Sequence, residues 1–378
     1  MKVAVTTLAF CVAALLALGL VMLYSSSVTQ VGGHYLMMQL IWCAFGFVLC
    51  VAATTLDYQW LKKLAVPVFI LALLLLLLVL VPHIGRKING ARRWFDFHGV
   101  RFQPSELGKI ALIILLAWYG DRYQRQMQTW KRGILFPGAL IALTLGLIFV
   151  EPDRGTTILL AAVSGIMLLI AGVRWKYIVP PVLLGTAGLA LSILHDPMRL
   201  RRIFSWWDME QHKEGVGYQA YQAMIALGSG GWTGLGLGNG RQKLGFVPED
   251  HTDFIFSIIG EELGLIATLL VVLAFVVIAL CGIYIALRAR DPFGSLLAAG
   301  VTFLISLQAA INIGVVTSAL PNKGLPLPFI SYGGSNLLAM LTCVGLLFSI
   351  ARQAPAREKV RATAAVIDEN PFAAKATT

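Results

Sequence analysis

The chain has 378 residues, of which 58% are hydrophobic and only 13% charged, with 30 Lys and Arg against 19 Asp and Glu. A soluble domain of this length would be far more polar. Apolar runs of about twenty residues, each long enough to cross a bilayer as a helix, recur from end to end, so length here counts membrane spans rather than soluble domains.

The runs predict ten transmembrane helices, at about 5–25, 35–55, 62–82, 104–120, 133–150, 156–173, 177–194, 253–287, 295–318 and 331–352. The fold class is all-α: a polytopic membrane domain over 1–352, with a long outer loop at about 195–252 between the seventh and eighth spans. The first run, about Val5 to Tyr24, is too long for a signal-peptide core and ends in Ser25-Ser26-Ser27 without a cleavage pattern, so it reads as a retained helix. The fourth is the least apolar, opening on Gln103, Ser105 and Glu106 and carrying Lys109. The eighth is long enough to tilt or to project from the bilayer. The tail, 353–378, is polar and Ala-rich and reads as disordered. Cys11, Cys43, Cys50, Cys281 and Cys343 all lie in apolar runs with no CxxC pair, which fits packing rather than metal or redox chemistry. No repeat of 20–50 residues stands out.

Orientation follows from Lys and Arg in the short connections. Lys62, Lys63, Arg122, Arg125, Lys131, Arg132, Arg174, Lys176, Arg288 and Arg290 put the even connections, and both termini, in the cytoplasm. Two outer connections nevertheless carry positive charge of their own. One holds Arg86, Lys87, Arg92, Arg93 and Arg101; the other holds Arg199, Arg201, Arg202, Lys213, Arg241 and Lys243. Either these touch lipid phosphates as solvated loops, or an anionic head group is bound there.

Five segments carry the polar chemistry. In Asn89-Gly90-Ala91-Arg92-Arg93-Trp94, Asn-Gly marks a turn, the two arginines are candidates to grip phosphate, and Trp94 reads equally as an interfacial anchor. In the same cluster, Pro104, Ser105 and Glu106 suit the first turn of a helix. Glu151-Pro152-Asp153-Arg154 is a tight outer link whose charges can simply neutralise one another. The glycine-dense stretch Gly228 to Gly240 lacks a flanking βαβ pattern, which rejects a dinucleotide fold. Leu320 to Ser335 has prolines that break helix and glycines that permit unusual backbone, with Lys323 at its tip; such backbone at membrane depth must be buried or line a cavity.

The fifth segment, Gly245 to Phe256, packs Glu249, Asp250, Asp253 and His251 against the start of the eighth span. Thr252 is a plausible N-cap, which would put Asp253 in the first helical turn. Ser257, Gly260 and Gly264 then fall within about 40° of it at roughly 100° per residue, a small-residue stripe open to a neighbouring helix or an acyl chain. Asp253 reads either as a complement to the helix dipole or as a proton acceptor at the water–lipid boundary. Glu261 and Glu262, inside the span, need partners or a polar cavity, an ion pair with another segment being the simplest account. His251 reads as a loop hydrogen-bonder rather than as a base.

Taken together these segments resemble the SEDS family, the FtsW and RodA proteins. The matching pieces are NGARRW (89–94), QPSE (103–106), EPDRGTT (151–157), GYQAYQA (217–223), GLGLGNGRQKLGFVPEDHTDFIFSIIGEELG (234–264) and LPNKGLPLPFISYGGSN (320–336), in family order. The resemblance implies a ten-helix peptidoglycan glycosyltransferase that polymerises lipid II on the outer face of the bacterial cytoplasmic membrane. It implies partners too: the undecaprenyl-diphosphate-linked glycan, a class B penicillin-binding protein that supplies the transpeptidase, and other division proteins, but no nucleic acid. Lys323 and the GEELG run are more similar to the septal FtsW branch than to RodA. Asp253 would be the catalytic carboxylate. Arg92, Arg93, Arg201, Arg202 and Lys323 would meet pyrophosphate, with Glu106 and Ser331 completing the candidate substrate contacts. Glu261, Glu262 and Asp153 would be structural or gating. No ligand cluster marks a metal, although a divalent Mg or Mn could share the pyrophosphate. Arg154 and Asn336 depart from the family's usual Leu and Ser.

Two other readings compete. Intramembrane carboxylates and glycine-broken segments would suit a lipid-precursor flippase or transporter, and the elements would also suit a non-catalytic scaffold recruiting a transpeptidase. Polar residues gathered at the outer edge rather than the midplane favour surface chemistry.

Overall fold

The computed structural model describes residues 1–27, 34–88, 91–97, 100–215, 217–247 and 251–354. Three long apolar helices come first: α1 (Lys2–Ser27), α2 (His34–Thr55) and α3 (Gln59–Leu80). The connection that follows, expected as a loop, is a small antiparallel sheet of β1 (Arg86–Ile88), β2 (Ala91–Phe97) and β3 (Val100–Phe102), with β2 in the middle. Then come α4 (Pro104–Arg122), α5 (Phe136–Val150), α6 (Arg154–Ile170) and α7 (Trp175–Leu194). The long connection after α7 carries two short helices, α8 (Pro197–Trp207) and α9 (Tyr218–Ser229), and the chain closes with α10 (Ile255–Leu287), α11 (Pro292–Val316) and α12 (Gly334–Gln353).

Among the described residues, eight helices are long and apolar enough to cross a membrane: α1, α2, α3, α5 with its leading turn, α7, α10, α11 and α12. The two other expected spans are α6, short at 17 residues, and α4, which carries Glu106, Lys109, Asp121 and Arg122. Both lie against α11, and α4 is buried along nearly its whole length. Glu106 and Lys109 are buried within it, and such charges are stable at membrane depth only when protein, not lipid, surrounds them. Outside this core, side chains such as Phe10, Phe45, Leu184 and Leu270 face outward, as a lipid-bathed surface requires. α7 buries only Ile178 and sits at the periphery.

α10 corrects an expectation. Gly264 has φ 77° and ψ −172°, a backbone open to glycine but not to other residues, so the 33-residue element is two helices, 255–263 and 265–287, joined at a kink. Its length comes from that join. Its start also differs: the ladder opens at Ile255 with Phe254 in the capping position, so Thr252 does not cap and Asp253 stands before the helix. The small-residue stripe is filled by protein. Gly260 packs on Leu227 of α9, and Gly264 packs on the backbone of Trp232 and Gly234.

One edge of the bundle gathers the ends that matter. There meet the C-terminal ends of α1, α3, α5 and α11, the N-terminal ends of α4, α6 and α12, the sheet, and the kinked start of α10. The opposite edge holds the Lys62–Asp121 ion pair at 2.5 Å and the Tyr58–Asp291 hydrogen bond. The expected tail falls outside the described residues from 355 onward.

Candidate active site

The segment 317–333, between α11 and α12, is a strap without helix or strand. Its apolar side chains Leu325, Leu327, Phe329 and Ile330 are almost fully buried, which anchors irregular backbone inside protein. Its backbone polar groups find side-chain partners from the helices beneath. On α11, Gln308 and Asn312 stand one turn apart on the same face. Gln308 Nε2 donates to Pro326 O at 2.9 Å, and Asn312 Nδ2 donates to Leu325 O at 2.7 Å.

The 251–254 turn lies on this strap. Ser331 Oγ donates to Thr252 O at 2.6 Å and accepts from Leu327 N at 2.8 Å; Tyr332 N donates to His251 O at 2.9 Å; Asn312 Nδ2 reaches Asp253 O at 2.8 Å. His251 stacks on Tyr35 of α2 with centroids 4.7 Å apart, and Tyr35 meets Tyr332 at 4.9 Å. These contacts fix where Asp253 goes. Its carboxylate lies on Gly324, where an added methyl group would come within 2.5 Å of Oδ2. Gly324 is exposed and Asp253 partly so, which leaves the carboxylate reachable from outside the bundle.

Lys323 is the next residue along the strap. It is half-buried, no described carboxylate lies within ion-pairing distance, and burial holds its ammonium below the usual lysine range. A partly desolvated cation of this kind favours an anionic visitor. Burial, then Tyr35, push the Tyr332 phenol above its usual range against the pull of Arg101, which places that arginine's charge near the same cluster.

Beneath the strap runs a buried polar chain. Lys109 is fully buried, pairs with Glu106 at 2.8 Å and donates to Gln308 Oε1 at 3.0 Å, while Asn336 Nδ2 donates to Glu106 at 3.2 Å. Glu106 and Ser331, expected to touch substrate, therefore each have protein partners that hold the strap and the helix starts together. Glu106 also borders an apolar cavity of about 460 Å³ between α2, α3, α4 and α12, which reaches from Leu56 to Phe102 and Ser335.

The structure separates Arg92 from Arg93. Alternation along β2 puts them on opposite faces. Arg93 donates to Glu151 O at 2.7 Å and Pro152 O at 2.6 Å, holding the α5–α6 link rather than facing outward. Arg92 pairs across the sheet with Lys87, a like-charge pair that is unfavourable unless an anion offsets it. Arg201 and Arg202 are exposed on α8, whose contacts are with α7 and, through Trp206, with Ser318 O at 2.8 Å. None of these contacts joins them to Asp253.

Asp153 caps α6, accepting from Thr156 N at 3.1 Å and Thr156 Oγ1 at 3.0 Å, and takes a bond from Gln103 at 3.3 Å. Its neighbour Glu151 is wholly buried, and neither carboxylate oxygen has a hydrogen-bond partner; burial, with Asp153 nearby, pushes it up to about 8 against the pull of Arg93. Glu262 pairs with Lys243 at 2.6 Å and accepts from Ser25 of α1, and Glu261 accepts from the amides of Arg241 at 2.8 Å and Gln242 at 3.2 Å. The two glutamates thus tie the glycine-dense loop to the first part of α10. Glu249 and Asp250 lie outside the described residues.

Sequence reasoning missed Asn312, Gln308, Tyr35 and Tyr332. The amides had one signal: two uncharged polar residues four apart in an apolar span. The tyrosines had none, since an aromatic near a membrane edge ordinarily reads as an anchor.

With this geometry in view, comparison with known proteins is specific. A family model described as Cell cycle protein (FtsW, RodA, SpoVE) matches residues 6–356. The chain is 41% identical over 345 residues to a probable peptidoglycan glycosyltransferase FtsW of Trichlorobacter lovleyi, covering 90% of this chain and 91% of that one. Its backbone is similar to a chain in a solved peptidoglycan synthase complex described as coordinating polymerization and crosslinking (TM-score 0.76, 29% identity, 91% and 96% covered). It is also similar to the rod shape determining protein RodA of Thermus thermophilus (TM-score 0.71, 29% identity, 92% and 97% covered).

Proposed function

The chain belongs to the FtsW/RodA/SpoVE family, and from that premise we propose that it polymerises lipid II into septal glycan strands with Asp253 as the catalytic base. It is a multi-pass membrane protein and a peptidoglycan glycosyltransferase. The observation that carries the site is the partly exposed Asp253, its carboxylate resting on Gly324, one residue from a half-buried Lys323.

In the reaction, Asp253 takes the proton of the acceptor's sugar hydroxyl. That oxygen forms a bond to the donor's anomeric carbon as the carbon–oxygen bond to pyrophosphate breaks, with inversion. The electron pair leaves with undecaprenyl diphosphate, and Asp253 later returns its proton to solvent. Charge builds on the departing pyrophosphate, where a preorganised cation lowers the barrier most. Lys323 is the cation best situated, with Arg92 and Arg101 on the neighbouring sheet; Arg201 and Arg202 serve at a distance, drawing anionic lipid to this edge. The apolar cavity walled by α2, α3, α4 and α12 suits part of a polyprenyl chain. Among the described residues no three metal-ligating side chains converge, and no step here uses a metal.

The site edge faces outward and both termini face the cytoplasm, as the Lys and Arg bias favours. Residues 1–352 form one membrane unit with a cytoplasmic tail behind it. The partner is a class B penicillin-binding protein, a reading supported by likeness to a chain of a synthase complex in which polymerization and crosslinking are coordinated.

Purified protein mixed with lipid II in detergent, with no second compartment, tests this directly. Polymer from the wild type excludes a pure flippase or scaffold. Asp253→Asn, still folded, yields no polymer; normal polymer from it removes Asp253 as the base.

A further inference from the structure

Asp253 stands outside the hydrogen-bond ladder of α10. Ser257 N donates to Phe254 O at 3.0 Å, so the helix begins at Ile255, two residues beyond the carboxylate it must present. A catalytic group on irregular backbone needs its position fixed from elsewhere, since roughly 1 Å of misplacement costs about 100-fold in rate.

We propose that Asn312 is the positioning residue for Asp253, its one amide holding the base and the surface the base rests on in register. Its Nδ2 donates to Asp253 O at 2.8 Å and to Leu325 O at 2.7 Å. Both partners are carbonyl oxygens, which only accept, so the side-chain nitrogen must face them. Leu325 adjoins Gly324, the residue under the carboxylate. Asn312 thus ties the backbone of the base to the backbone of its seat. The residue is 1% exposed, and its own Oδ1 is buried with no partner. An amide that leaves its acceptor unmatched while using both donors is set by the donors. Gln308, one turn earlier, holds Pro326 O and is itself held by Lys109, so the bridge rests on the buried chain of α4.

This inference rests on the reading of Asp253 as the base. It separates Asn312 from residues that grip substrate: loss of the bridge lowers turnover and leaves lipid II affinity alone. The test compares Asn312→Ala and the near-isosteric Asn312→Leu with wild type, Asp253→Asn and Thr302→Val. Thr302 is a buried α11 residue whose hydroxyl bonds only within its own helix, at Ala298 O. For each purified variant, kcat and KM for lipid II polymerisation, the pH–rate profile and the melting temperature are measured.

Both Asn312 variants are expected to lose about 10- to 100-fold in kcat. KM stays within about twofold, the acid limb of the profile shifts, and Thr302→Val matches wild type. Two results overturn the proposal with the base intact: wild-type kcat in either folded Asn312 variant while Asp253→Asn is inactive, or a loss confined to KM. Wild-type polymer from Asp253→Asn instead defeats the reading of the base, and this inference with it.

Discussion

The Asp253 carboxylate rests on the bare α-carbon of Gly324, so a side chain there displaces it. Gly324 is exposed, and its φ lies outside the left-handed region, so Gly324→Ala adds no backbone strain and little folding cost. Its melting temperature should match wild type while polymerisation turnover falls by about tenfold or more. An active Gly324→Ala would mean that the carboxylate works from another position.

Lys323 should set the alkaline limb of the pH–rate profile. Burial lowers its folded pKa, so its positive charge is present below that value and lost as pH rises through it, earlier than for an ordinary lysine. Lys323→Met should lower turnover below that pKa and converge on wild type above it. Lys323→Arg, which stays charged, should keep activity at higher pH than wild type if its longer fork fits. Identical alkaline limbs in wild type and Lys323→Arg would assign that limb to another group.

Glu151 predicts a pH-dependent stability. Its folded pKa, about 8, lies above its unfolded value near 4.5, so the native state holds the extra proton between them. Stability from this group is therefore greatest at the acid end and declines as pH rises from about 5 to 8. Glu151→Gln should remove that decline and melt higher than wild type at pH 8. Parallel melting curves against pH for the two proteins would show that the carboxyl is ionised and partnered in solution.

Arg92 and Arg93, adjacent in sequence, should fail in different assays. Arg93 holds two backbone carbonyls of the α5–α6 link, so Arg93→Ala should cost roughly 1–3 kcal/mol of stability. Arg92→Ala should melt like wild type, because it relieves the like-charge pair with Lys87, and should raise KM for the lipid-linked substrate several-fold. Kinetics unchanged in Arg92→Ala would exclude its pyrophosphate role.

The limits of sequence reading show in particular residues. Lys109 helps make the fourth span the least apolar, because hydropathy prices a charge as though lipid surrounded it. Within the fold Lys109 meets Glu106 and Gln308, and no lipid. The spacing of Ser257, Gly260 and Gly264 marks a site of close approach but does not say what approaches; in the fold it is α9 with its following loop. The length of α10 concealed the break at Gly264, since a single glycine in a helical pattern is ordinarily tolerated.

The sequence by itself determined that this is a polytopic membrane protein of the SEDS type. It also set the approximate spans and singled out Asp253 and Lys323, because apolar run length and motif order are local properties of a chain. Only the tertiary structure decided that Asp253 precedes its helix, sits on Gly324 and is held by Asn312. It alone divided Arg92 from Arg93 and gave Glu106, Ser331 and Glu262 their protein partners. Those relations join residues from distant helices, and a hydrogen bond between them exists only once packing has brought both ends within about 3 Å.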